Sequence, residues 1–238
     1  MKKKILLVGA NGKMGKVVAE KLKTNYDIVE FDINSRWFNF GVDLVVDFGS
    51  AESSVLSAKY CLKYHIPLIV GSTGQSQNEI EKIREVSKYA ALVICGNFSV
   101  GVYLLKRCIN QILSYNIDDI CIFEKHHKNK KDSPSGTAIM LENYIKNRYK
   151  SNIQVLTERG GEEIGTHMLD FYFSKEKIAI SHQAFSRESF AEGVLIAVDY
   201  ILKTKEKKEF NFDYILEEYL FKCEWQNKNN YVILNAEN

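Results

Sequence analysis

No stretch of this chain approaches the apolar length that a bilayer crossing requires, so no membrane-spanning helix is expected. The opening Lys2-Lys3-Lys4-Ile5-Leu6-Leu7-Val8 carries the charge of a secretory leader. Its apolar part is too short, however, and glycines follow without a cleavage-like site. A strong excess of charge is also missing: 32 Lys and Arg stand against 30 Asp and Glu, for a net charge of +2. That balance argues against a nucleic-acid partner, which would favour a basic face interleaved with aromatics. The lysine clusters at Lys2–Lys4 and Lys203–Lys208 read as solvated ends. Cysteine is scarce and unpatterned. Cys61, Cys95, Cys108, Cys121 and Cys223 form no C-x-x-C pair, and most sit in apolar runs. A disulfide frame or zinc ribbon is thereby excluded, and reduced, buried thiols in the cytoplasm are expected.

What is present suffices for one large core or two small ones: 238 residues, 45% of them hydrophobic and 26% charged. Ile5–Val8 reads as a buried strand, followed at once by Gly9-Ala10-Asn11-Gly12-Lys13-Met14-Gly15 and an amphipathic helix with Val17, Val18 and Leu22 inward. Strand, glycine turn and helix form the context of a dinucleotide-binding loop. Gly9 would permit the tight turn, and Gly12 and Gly15 the close approach of pyrophosphate and of helix to strand. The spacing is G-x-x-G-x-x-G, with Asn11 in the middle position, and alone it also fits an ordinary strand-to-helix turn. A second strand, Ile28–Phe31, ends at Asp32, whose carboxylate can accept hydrogen bonds from an adenosine ribose and repel a 2′-phosphate. Asp32 as a plain turn residue is the alternative. Arg36 is near enough to offset the repulsion, so NADH is favoured over NADPH without excluding it.

Strand and helix go on alternating. Leu44–Phe48, Ile66–Val70 and Leu92–Cys95 read as strands, separated by helices at Ala51–Tyr64 and Asn78–Tyr89. This predicts an α/β fold of the Rossmann type, a doubly wound parallel sheet that binds ligand at the carboxyl ends of its strands. Gly71-Ser72-Thr73-Gly74 and Gly96-Asn97-Phe98-Ser99-Val100-Gly101 follow two of those ends, as cofactor loops or as helix N-caps.

From about Val100 the pattern changes. A helix over Val102–Leu113 leads to a strand at Ile117–Phe123, then to a helix from about Ser135 to Tyr149. Ile153–Thr157, His167–Ser174 and Lys177–Ala184 read as consecutive strands with hairpin-like joins, an α+β layer rather than further winding of the first sheet. A helix at Glu188–Leu202 returns the chain to the first half. The expected domains are therefore 1–99 with 187–238, and 100–186. Tyr231–Leu234 is an added strand or part of a tail.

The densest chemistry lies in Glu124-Lys125-His126-His127-Lys128-Asn129-Lys130-Lys131-Asp132-Ser133-Pro134-Ser135-Gly136-Thr137-Ala138. Two imidazoles, several ammonium groups and a forced turn fall within it. Pro134 restricts the residue before it to extended geometry and suits the first turn of a helix. Ser135-Gly136-Thr137 offers hydroxyls and backbone N–H groups at a helix start, where carboxylates bind well. His126 and Lys130 could donate protons or hold charge. The reading is a pocket for a small, multiply anionic molecule. A metal site is not expected, since no carboxylate or third histidine recurs at ligand-like spacing, and His167 and His182 read as hydrogen-bonded residues near the pocket.

This run, E-x-H-H-x-x-K-x-D-x-P-S-G-T-A, resembles the signature of the dihydrodipicolinate reductase family of the lysine and diaminopimelate pathway. Cys121 departs from the Glu usual just upstream. Gly9–Gly15 is similar to the family's G-A-x-G-[KR]-M-G. Arg159-Gly160-Gly161-Glu162-Glu163-Ile164-Gly165-Thr166-His167 is similar to its R-x-G-x-x-x-G-x-H, and His182 to Arg187 to its H-x-x-x-S-R. The resemblance implies reduction of a cyclic unsaturated dicarboxylate by a nicotinamide. His126 would be proton donor or acceptor and Lys130 a proton donor, with His127, Ser135, Gly136 and Thr137 binding substrate. Gly9, Ala10, Asn11, Gly12, Lys13, Met14 and Asp32 would hold the dinucleotide. Gly71, Ser72, Thr73, Cys95, Gly96, Asn97 and Phe98 would line its nicotinamide end. Closure of the two halves, an open mixed sheet in the second half and a homotetramer built on it are also implied. A dinucleotide sensor without turnover is the competing reading. A semialdehyde or amino-acid dehydrogenase is a lesser one, and would want a catalytic Cys or a differently placed Lys.

Overall fold

A computed structural model describes residues 2–32, 40–150 and 152–220. The chain divides into two compact units, one taking residues up to Phe98 and from Ala191, the other Ser99–Phe190. The first unit begins with β1 (Lys4–Val8), α1 (Lys13–Lys23), β2 (Asp27–Phe31), β3 (Leu44–Asp47), α2 (Ala51–Tyr64), β4 (Leu68–Val70), α3 (Gln77–Arg84) and β5 (Leu92–Ile94). Apart from β2 at the sheet edge, which carries Asp27 and Glu30, these strands are short runs of Val, Leu and Ile with almost no polar alternation. Such runs suit a parallel sheet covered on both faces, and Leu6, Val45, Leu68 and Leu92 are fully buried in one core with Cys61, Ile83 and Val86. Serines punctuate the helices. Ser50 and Ser76 each form a capping box, accepting from the N–H of Ser53 and Glu79 while those side chains bond back. The expected helix at Asn78–Tyr89 is instead α3 followed by a 3₁₀ turn over Glu85–Lys88.

The second unit contains α4 (Val100–Ile112), β6 (Asp119–His126), α5 (Gly136–Lys146), β7 (Ile153–Arg159), β8 (Gly165–Tyr172) and β9 (Lys177–Ala184). Its sheet runs β7-β6-β8-β9, with β6 parallel to β7 and antiparallel to β8. Among the described residues of this unit, β8 and β9 alone form a hairpin. The expected hairpin join between β7 and β8 is absent because β6 lies between them, and α5 carries the parallel crossover from β6 to β7. One sheet face packs on α4 and α5, where Leu105, Ile109, Leu141 and Ile145 meet Ile120, Ile122, Leu169 and Phe171. Each such side chain contributes roughly 1.5–3 kcal/mol of burial.

The end of β6 is the most consequential difference from expectation. The strand runs through His126 rather than stopping at Phe123, and its inward positions are Ile120, Ile122, Glu124 and His126. Two polar residues thus continue the buried alternation of two isoleucines.

The chain re-enters the first unit within α6 (Glu188–Ile201), which buries Ala191, Val194, Ala197 and Val198, and adds β10 (Glu209–Phe210). The first sheet is then entirely parallel, in the order β2-β1-β3-β4-β5-β10. The order reverses between β1 and β3, the point at which such sheets bind ligands. Arg36 and the expected strand Tyr231–Leu234 lie outside the described residues. Cys61 is buried as expected, but Cys95 and Cys121 are half-buried and Cys108 is exposed.

Candidate active site

In the first unit, the carboxyl ends of β1 and β3 frame a groove of about 170 Å³. Gly9, at φ +79°, turns the chain out of β1, and the N–H of Gly12 donates back to its carbonyl at 3.0 Å. α1 starts at Lys13 with Gly12 as an N-cap that supplies no side-chain acceptor, leaving the first-turn N–H groups for an anion. The groove is lined by Val8, Gly9, Ala10, Asn11, Phe31, Asp32, Gly49, Ser50 and Ser53. Gly12, Lys13 and Met14 continue from it into α1. Of the predicted cofactor residues, then, the groove itself gathers Gly9, Ala10, Asn11 and Asp32.

Gly49, Ser50 and Ser53 were not singled out in the sequence. They follow β3, which pairs with β1 only in the folded sheet. Their anchor is Asp47, fully buried, which accepts from Ser57 Oγ at 2.6 Å, Ser53 Oγ at 2.9 Å and Gly49 N–H at 3.0 Å. Burial pushes its carboxyl pKa up even against those donors. The other predicted loops lie beyond the groove along the same sheet edge, since Asp47, Val70 and Ile94 are in register. Gly71 donates its N–H to the Asp47 carbonyl at 2.8 Å, and Ser72 Oγ accepts from Gln75 at 3.0 Å. Thr73 is exposed. Cys95 Sγ donates to the Asn97 carbonyl at 3.0 Å, and exposed Gly96 lies between them. Phe98 packs on Phe48 and Phe212 at centroid distances of 6.0 and 4.8 Å. The glycine turn, uncapped helix start and carboxylate wall fit a dinucleotide.

The second unit gathers most of the signature run. Glu124 is fully buried and binds three partners: Nδ1 of His126, Nη2 of Arg159 at 2.6 Å and the N–H of Ser135 at 3.2 Å. Burial alone would raise the Glu124 pKa, but Arg159, His126 and the Ser135 N–H hold it below the usual range. For His126, burial lowers the pKa and prevails over the nearby carboxylate, which favours the imidazolium. Ser135 is the N-cap of α5, its Oγ accepting from the Ala138 N–H at 3.2 Å and lying 3.2 Å from His167 Nε2. Both contacts lie within the wall of the site and leave one lone pair of the hydroxyl unused by them. Pro134 precedes the cap instead of occupying the first turn.

Lys130 Nζ pairs with Asp132 at 3.0 Å. Burial would raise the Asp132 pKa, but Lys130, its own N–H and that of Gly136 keep it low. An ammonium and the α5 N-terminus already hold a carboxylate here, the chain's own. Gly136 is exposed, while Thr137 and His127 are half-buried. The N–H of His127 is bound to the Glu163 carbonyl at 2.8 Å.

Glu124, His126 and His167 bring possible ligand atoms within 4.8 Å of one another, a carboxylate and two imidazoles that sequence spacing had not joined. Register explains the miss, because Glu124 pairs with His167 across β6 and β8. The Arg159 guanidinium holds the same carboxylate, and the second Glu124 oxygen is hydrogen-bonded to His126. A cation would have to displace both. His167 stacks edge-on against His126 at 5.2 Å, and His182 lies 6.5 Å beyond it with Nε2 3.3 Å from Ser99 Oγ.

Burial drives the His167 pKa down to about 3. The unfolded chain therefore takes up a proton near pH 6.5 that the folded state refuses, so stability falls as pH drops from there towards 3. The slope is at most about 1.4 kcal/mol per pH unit from this group. His167→Gln should remove one proton's worth of that slope in urea melts at pH 4.5 to 6.5. An unaltered slope would refute the assignment.

Comparison with known proteins decides the family. The descriptions "Dihydrodipicolinate reductase, N-terminus" and "Dihydrodipicolinate reductase, C-terminus" match residues 24–98 and 101–216. A 4-hydroxy-tetrahydrodipicolinate reductase of Wigglesworthia glossinidia brevipalpis is 34% identical over 248 residues, covering 90% of this chain and 93% of its own. The chain belongs to the dihydrodipicolinate reductase family. The Clostridium tetani member is 33% identical over 247 residues, covering 90% of this chain and 96% of its own. The dipicolinate-bound dihydrodipicolinate reductase of Paenisporosarcina sp. TG-14 has the same fold at a TM-score of 0.74, with 17% identity over 89% of this chain and 98% of that one. Arg159, Gly161, Gly165 and His167 of the family's second pattern surround the Glu124–His126 pair or the turn beside it.

Proposed function

We propose that this family member reduces 4-hydroxy-tetrahydrodipicolinate, the cyclic dicarboxylate for which its relatives are named, to tetrahydrodipicolinate. The reductant is NADH or NADPH, which supplies hydride when bound. One observation carries the reading: a buried carboxylate–imidazole pair stands beside a helix start and a lysine that together already hold a carboxylate. Gly136 and Thr137 would bind one substrate carboxylate at the α5 N-terminus, with His127 alongside. Asp132 would give way to it. Negative charge arriving with a dicarboxylate and hydride favours the imidazolium of His126 and is met by the Lys130 side chain beside it. Either can then deliver the one proton that the reduction consumes beside the hydride, while the substrate's 4-hydroxyl leaves as water. The direct test is loss of reduced nicotinamide absorbance when fresh 4-hydroxy-tetrahydrodipicolinate is added. Absence of oxidation with both cofactors would end the proposal. The sensor reading gains nothing, since a sensor has no use for the Glu124–His126 pair.

For cofactor preference, Asp32 supports NADH. A carboxylate at that wall accepts hydrogen bonds from ribose hydroxyls and repels a 2′-phosphate. Fluorescence titration should show Asp32→Ser narrowing the gap between the two cofactors by about tenfold, or roughly 1.4 kcal/mol of repulsion relieved. Equal NADPH affinity in wild type and variant would contradict this.

The homotetramer finds support in the second sheet's outer face, where Leu156, Phe123 and Met168 lie in one register row. Leu156 and Met168 are 44% and 37% exposed. Sedimentation velocity decides it, and a persistent monomer refutes it.

A further inference from the structure

The second family pattern has no part in the chemistry proposed so far, yet its residues converge on one imidazole. Arg159 Nη2 binds Glu124 Oε1 at 2.6 Å and the Asp132 carbonyl at 2.7 Å, joining β7, β6 and the loop before α5. A Cβ at Gly165 would lie 2.8 Å from His126 Nε2, so glycine there keeps that nitrogen uncovered. His167 meets the same ring edge-on at a centroid distance of 5.2 Å.

We propose that Glu124 is a positioning residue that holds His126 by Nδ1, so that the imidazole presents Nε2 to the reaction, and fixes the start of α5 through the Ser135 N–H. This rests on His126 as the proton-transfer group. The geometry leaves little choice of tautomer: a carboxylate accepts only, so Nδ1 carries the proton that bonds to it and Nε2 is the exchanging nitrogen. Arg159 keeps Glu124 ionised, and Gly165 leaves Nε2 room for a substrate atom. An amide in place of Glu124 can still accept from Nδ1, but it brings no charge to stabilise the imidazolium. A carboxylate behind a metal-binding histidine contributes about ten- to hundredfold, and an effect of that order is expected for this imidazole.

The experiment uses the whole chain. Glu124→Gln should lower kcat about ten- to a hundredfold, leave the NADH dissociation constant within about twofold, and move the basic limb of the kcat profile to lower pH. Placed in a His126→Ala background, Glu124→Gln should cost much less than it does in the wild type, since the part of its effect that runs through the imidazole is already gone. Should Glu124→Gln fail to fold, nitrogen NMR of the wild-type imidazole decides instead, with protonated Nδ1 and a far-downfield proton expected. A neutral ring with its proton on Nε2 and a bare Nδ1, or a wild-type kcat and pH profile in Glu124→Gln, overturns the proposal. Full turnover in His126→Ala would instead refute the underlying role of His126.

Discussion

His126→Ala and Lys130→Ala should each lower turnover by roughly a hundredfold or more, as expected when a positioned acid or base is lost. NADH binding should survive in both, because the dinucleotide groove belongs to the first unit and neither residue lines it. The two variants should nevertheless differ in KM. His126 is buried and bound to Glu124, so its loss removes proton transfer while disturbing few exposed charges. Lys130 is part-exposed and pairs with a carboxylate at the α5 helix start, so its loss should also raise KM for a dicarboxylate. Stopped-flow consumption of reduced nicotinamide, with substrate varied, separates the two effects. Wild-type turnover in both variants would sink the assignment of either as proton donor.

The elements of the first unit were legible because buried parallel strands announce themselves as unbroken Val, Leu and Ile runs between glycines and serines. The helix Ala51–Tyr64 matches its expected bounds, and β1, β2 and β3 differ from theirs by a single residue at one end. Hydrophobicity failed at β6, where the inward alternation passes from Ile122 to Glu124 and His126. A polarity reading must end the strand at Phe123, since nothing local shows that a buried carboxylate will find Arg159 thirty-five residues on. The same limit hid the nearness of His167 to His126, which depends on antiparallel register. The motif R-x-G-x-x-x-G-x-H was visible in the sequence, but its purpose was not. Its Gly165 has meaning only beside an imidazole that the adjacent strand delivers.

Gly15→Ala should damage this protein far more than Gly12→Ala, although both belong to one glycine motif. A Cβ at Gly15 would stand 2.0 Å from the Gly9 carbonyl oxygen and 2.8 Å from the Ala10 Cα, backbone that cannot rotate away. α1 would have to lift from β1, unpacking Val18 and Leu22, both fully buried. The expected cost is about 3 kcal/mol or more, a fall of roughly 6–12 °C in Tm, with NADH affinity lost alongside. At Gly12 the added Cβ would meet only the Gly9 oxygen, at 3.2 Å, and the backbone, at φ −71° and ψ 166°, suits alanine. Gly12→Ala should therefore keep its Tm within a few degrees. It should still weaken NADH binding about tenfold, because the methyl group takes space that an approaching pyrophosphate needs. Thermal melts with and without NADH read both effects. If Gly12→Ala binds NADH as tightly as wild type, the start of α1 is not the pyrophosphate seat, and the groove between β1 and β3 must hold the dinucleotide in another way.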